Sequence, residues 1–169
     1  MAYVFNNWRK LVGAEMLSFL LWSATVQARA FEMSGGVRMG YSYMPNSNLR
    51  SPNSITIGFE QMHRLKSKGD LKFLVLTNLS VSGINQSTLF PTGHVLMGYQ
   101  LYDYWYVGAG PFLRIYQIEP TLDPQINMIL GSGVFLPMEG FDIPIQVSYV
   151  PDLDDKLIFT INTGIHYTF

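Results

Sequence analysis

The sequence has no cysteine and little charge. The missing cysteine excludes disulfide scaffolds, thiolate zinc sites, iron–sulfur clusters and cysteine nucleophiles together. Eleven Lys and Arg face twelve Asp and Glu, for a net charge of −1, and only 14% of the 169 residues are charged. A soluble domain carries about 25%, so the side chains that usually coat a water-facing surface are scarce. The absent basic excess argues against nucleic acid as a partner. A hydrophobic content of 48% excludes intrinsic disorder, which needs low hydrophobicity and high charge. One domain fits this length.

What is present begins with an export pattern. Arg9 and Lys10 precede an apolar stretch from Leu11 to Trp22, broken by Glu15, and Ala28 and Ala30 stand at the −3 and −1 positions of a cleavage site. The stretch is shorter than the ~20 apolar residues of a spanning helix. The expected division is a cleaved signal peptide over 1–30 and one domain over 31–169.

After Phe31 the dominant pattern has period two. Ile55, Ile57 and Phe59 alternate with Thr56, Gly58 and Glu60. Leu71, Phe73, Val75, Thr77, Leu79 and Val81 share a face opposite Lys72, Asn78 and Ser80. Ile143, Ile145, Val147 and Tyr149 oppose Gln146 and Ser148. The last run alternates Leu157, Phe159, Ile161, Thr163, Ile165, Tyr167 and Phe169 with polar or small residues. Turn-forming segments separate these runs at 44–53, 64–70, 83–91, 101–103, 119–124, 137–142 and 151–155. They delimit eight strands with no helix-sized crossover. The predicted fold is all-β, an eight-stranded antiparallel up-and-down barrel.

A soluble barrel of this kind turns its apolar face inward; a transmembrane barrel turns it outward. Two features favour the transmembrane form. Arg38, Glu60 and Arg114 fall in mid-strand on the polar face, where a lumen can pair them. Tyr41, Tyr43, Tyr102, Tyr104, Trp105, Tyr106, Tyr167 and Phe169 gather at strand ends, as interfacial girdles do. Adding Lys72, the predicted lumen network is Arg38, Glu60, Lys72 and Arg114, supported by Asn78, Gln146 and Asn162. Eight strands leave a bore that side chains just fill, so an open diffusion pore is not expected.

The terminal Phe169, with Tyr167, Ile165 and Ile161 at alternate positions before it, resembles the closing strand of bacterial outer-membrane β-barrel proteins. In architecture the chain is similar to the small eight-stranded members from Gram-negative bacteria, the size class of the OmpA transmembrane domain, OmpX, OmpW and PagP. The resemblance implies residence in the bacterial outer membrane, contact with its lipid and lipopolysaccharide, and a monomer. It also implies that Tyr167 and Phe169 form the assembly signal read by the outer-membrane barrel assembly machinery.

Barrels with enzymatic activity make the catalytic inventory worth taking. The histidines are His63, His94 and His166. His63 and His166 fall toward the periplasmic end, and only His94, near Ser87 and Thr88, is placed to serve an outer-leaflet nucleophile. No catalytic set emerges, no metal-ligand spacing falls on one strand face, and no cofactor is expected. Pro111 and Pro144 fall inside strands, where each removes a ladder donor. They predict either a local bulge or a lateral opening between strands. The leading expectation is a non-enzymatic protein with a structural, limited interaction or passage role. A lipid A-modifying enzyme and a narrow channel are the alternatives.

Overall fold

A computed structural model describes residues 31–45, 51–65, 69–86, 89–118, 121–151 and 157–169. The expected signal segment, 1–30, lies outside the described residues. The strands are β1 (Phe31–Tyr43), β2 (Asn53–Leu65), β3 (Leu71–Ser82), β4 (Phe90–Leu101), β5 (Trp105–Ile118), β6 (Thr121–Met138), β7 (Phe141–Val150) and β8 (Ile158–Thr168). They pair in sequence order as a closed barrel. The ring is completed by β1 against β8, from Ser34 opposite Thr168 to Tyr43 opposite Phe159. Closure removes the sheet edges that an open meander would leave.

The period-two pattern sorts side chains as the pleat requires. On β1, Val37, Met39, Tyr41 and Tyr43 are exposed while Ser34, Arg38 and Ser42 are buried. On β2, Ile55, Ile57 and Phe59 are exposed while Thr56, Glu60 and Met62 are buried. The apolar face therefore points outward, as a lipid-facing belt does. This fold is a transmembrane barrel. Aromatic contacts flank the belt: Phe73–Tyr99 at 5.9 Å and Phe141–Tyr167 at 6.3 Å toward the end that holds Phe31 and Phe169, the periplasmic end in the expected topology, and Tyr149–Phe159, centroids 4.9 Å apart, toward the other, outer end.

Two of the turns at the periplasmic end are tight. Tyr102 and Asp103 adopt φ of 52° and 62°, and the Tyr104 N–H closes onto the Leu101 carbonyl at 3.1 Å. Both central residues are left-handed, the pattern of a type I′ turn. Glu139 and Gly140 join Met138 to Phe141, which lie opposite one another. Gly140 takes φ 87°, which a side chain would strain. On the outer side, the turn after β3 clasps the start of β2. Gly83 donates to the Ser54 hydroxyl at 2.7 Å, and the Ile55 N–H donates to Asn85 at 2.9 Å.

Two expectations change. The sequence break at 119–124 is too wide: β6 is described from Thr121, with Pro124 inside the strand opposite Ile115. Its tolerance there has a physical reason. None of the described residues pairs with this part of β6 on its other edge, where a missing donor costs nothing. Neither in-strand proline makes a bulge. The β4–β5 ladder pairs His94 with Phe112 and Met97 with Ala109, skipping two rungs at Pro111 with no change of register. The β7–β8 ladder likewise skips two rungs at Pro144, between Asp142–His166 and Ile145–Thr163. The two prolines lie in different seams, and Pro111 faces outward while Pro144 faces the lumen.

Candidate functional site

The barrel interior is the candidate site, and it divides into three levels. The middle level holds a buried ion pair. Arg38 and Glu60, 2% and 0% exposed, approach to 2.9 Å. Arg38 also donates to the Gln146 side-chain oxygen at 2.5 Å. His166 Nε2 lies 3.2 Å from the same Glu60 oxygen. One carboxylate thus stands between a guanidinium and an imidazole, tying β1, β2, β7 and β8 together.

The periplasmic level is largely apolar and aromatic. Tyr106 stacks on Phe135 with centroids 4.9 Å apart. The Arg64 guanidinium sits 5.7 Å from the Phe135 centroid and reaches Asp142 at 3.7 Å. Met62, Leu74, Leu76 and Leu96 are each fully buried. The polar-filled lumen read from sequence is therefore incomplete, since inward positions carry large apolar side chains as well.

The outer level is lined by hydroxyls in directly opposed pairs. Ser42–Thr160 meet at 2.9 Å, Thr56–Ser82 at 2.7 Å and Ser80–Thr92 at 2.7 Å. They border a cavity of about 30 Å³, room for a water or two. Above it Arg114 contacts the Met44 sulfur and lies 4.8 Å from the Phe90 centroid.

The four predicted network residues do not form one cluster. Arg38 and Glu60 meet. Arg114 occupies the outer level, and Lys72 pairs at 2.6 Å with Asp103 in the adjoining periplasmic turn. Sequence reading grouped Gln146 with this pair, as the Arg38–Gln146 bond has it, but did not join His166 to it. It missed Gln100, Tyr106 and the inward side chain of Arg64, which it assigned to a turn. The signal for Arg64 was present: it continues the inward parity of Glu60 and Met62.

His94 is buried in the lumen, opposite Asn78 and stacked on Phe112 at 6.5 Å. Ser87 and Thr88 lie outside the described residues. His94 Nε2 and both ring nitrogens of His166 make no hydrogen bond to a hydroxyl. Among the described residues no group of three His, Asp or Glu side chains is arranged to hold a metal ion. Tyr167 and Phe169 are outward and exposed, and the Phe169 N–H donates to the Met33 carbonyl at 3.0 Å.

No protein-family model and no curated protein matches the chain. Solved structures do. Ail, the attachment invasion locus protein of Yersinia pestis, aligns over 82% of this chain and 97% of its own, with TM-score 0.54 and 18% identity. The outer-membrane protein Ail in a phospholipid bilayer nanodisc aligns over 82% and 99%, with TM-score 0.51 and 18% identity. Neisserial surface protein A aligns over 82% and 97%, with TM-score 0.55 and 13% identity. The likeness is one of fold: an eight-stranded barrel of the outer-membrane type.

Proposed function

We propose that the chain is a monomeric, non-enzymatic protein of the bacterial outer membrane, with a structural or interaction role and a lumen that does not conduct. The observation that carries this reading is the packed middle of the bore. Arg38, Glu60, Gln100, Gln146 and His166 are at most 2% exposed there, and the apolar level beneath them adds a second barrier. Among the described residues no hydroxyl is hydrogen-bonded to His94 Nε2 or to a ring nitrogen of His166, which fits the non-enzymatic part. The eight strands close their ring within one chain, which suits a monomer. Lipid and lipopolysaccharide are the surroundings that the outward belt suits. The outward, exposed Tyr167 and Phe169 fit recognition by the barrel assembly machinery.

Two measurements test the reading. Folded protein in planar bilayers is expected to give no discrete conductance steps, and steps would overturn the closed lumen. Mass spectrometry of lipid A from cells with and without the gene is expected to give identical spectra. A gained or lost acyl chain would overturn the non-enzymatic role.

A further inference from the structure

The small cavity of the outer lumen has a lining of one electrical character. Arg38 of the middle level and Arg114 above both line it, together with Asn78, His94, Asn162 and the paired hydroxyls. Among the described residues that line it none is Asp or Glu. Glu60 meets Arg38 at 2.9 Å but takes no part in the lining. A space walled by low-dielectric barrel and bordered by guanidinium groups concentrates negative charge.

The hydrogen-bond count around it leaves donors over. The Arg38 guanidinium has several N–H groups and no acceptor. Its Nη2 serves both Glu60 and Gln146, while Nε and Nη1 have no hydrogen-bond partner among the described residues. A buried charged donor without an acceptor is costly. In Ser42–Thr160 and in Thr56–Ser82 one hydroxyl donates to the other, whose own hydrogen is left over. The buried carboxamides of Asn78 and Asn162 add further N–H groups. A water in this space would bring two more donors. A halide brings none, and it carries the charge that turns each donated bond into a charge-assisted one.

We infer that this cavity is a binding site for a small monovalent anion of the chloride class, held between the Arg38 guanidinium, the Asn78 and Asn162 carboxamides and the hydroxyl hydrogens of the opposed pairs. The room, about that of a water or two, suits a monatomic ion better than a phosphate or a sulfate. The lining comes from both ends of the chain, with Arg38 and Ser42 on β1 and Thr160 and Asn162 on β8. A bound ion therefore adds a link across the strands that close the ring. The inference goes beyond the closed-lumen reading and does not rest on it, since its test reads stability and ion position rather than current.

The test refolds the full barrel from urea into phospholipid vesicles in sodium chloride, sodium bromide or sodium gluconate at equal ionic strength. Gluconate is too large for the cavity and serves as the control. Stability should rise with either halide and saturate, as binding to the folded state alone requires, and should not do so with gluconate. Asn78→Asp puts a carboxylate into the lining at almost unchanged shape. It should raise the halide concentration needed for half the gain by about tenfold or more, the effect of a like charge at close range. Arg38→Met combined with Glu60→Leu should abolish the halide-specific gain while the barrel stays folded. Crystals of the unaltered barrel grown in bromide should show an anomalous scattering peak inside the cavity, within hydrogen-bond reach of Asn78 or Asn162. Overturning results are equal stability in halide and gluconate, an undiminished halide gain in Asn78→Asp, or a cavity filled by water alone or by a carboxylate of the chain itself.

Discussion

The Arg38–Glu60 pair contributes through what its loss would leave behind. Both groups are buried and off-axis from bulk water, and Arg38 has Gln146 as a second partner. Removing one member strands a buried charge, a penalty of about 3–5 kcal/mol, whereas replacing both with apolar residues of similar size is often neutral. Glu60→Ala should therefore destabilise the folded barrel by about that amount in urea titrations from phospholipid vesicles. The double variant Arg38→Met with Glu60→Leu should recover most of the loss. The periplasmic turn offers the opposite sign. Tyr102 holds φ 52°, a conformation that costs a bulky residue about 1 kcal/mol or more and that Asn tolerates. Tyr102→Asn should raise stability by about 1 kcal/mol in the same titration, leaving the Lys72–Asp103 contact in place.

At the level of strands, the prolines show how a ladder can be interrupted without being displaced. On β5 the alternation set by the Tyr104–Phe135 bond points the Pro111 nitrogen toward β4, so only the β4–β5 rungs lapse while β5–β6 stays continuous. Pro144 lacks its donor toward β8 by the same parity. Pro111→Val supplies the missing donor, and the side chain faces outward. The expected gain is about 1 kcal/mol, and amide exchange at residue 111 should become slow. Strand number and facing were legible in the sequence because alternation and turn residues are local. The 119–124 break was misread because Pro124 usually ends a central strand, and nothing local says that none of the described residues pairs with this edge of β6. Which lumen charges meet was not legible either. Arg38 and Glu60 sit on neighbouring strands, yet Gln146 and His166 come from the far end of the chain. Their meeting depends on closure and strand tilt rather than on alternation.

For the whole molecule, the hydroxyl pairs of the outer lumen carry a consequence in time. Ser80 and Thr92 are 12 residues apart in the chain, while Ser42 and Thr160 are 118 apart and Arg38 and Gln146 are 108 apart. The first pair can form inside a hairpin, whereas the others wait until the first and last strands of the barrel meet. Distant contacts come late because loop closure must precede them. Losing either hydroxyl pair should cost about 1 kcal/mol, roughly a fivefold change in a rate. Ser80→Ala should slow insertion into vesicles. Ser42→Ala should leave insertion unchanged and speed unfolding, which stopped-flow fluorescence of Trp105 can resolve. The ring is then held shut by bonds that played no part in reaching it, and the lifetime of the folded barrel can be tuned separately from its speed of assembly.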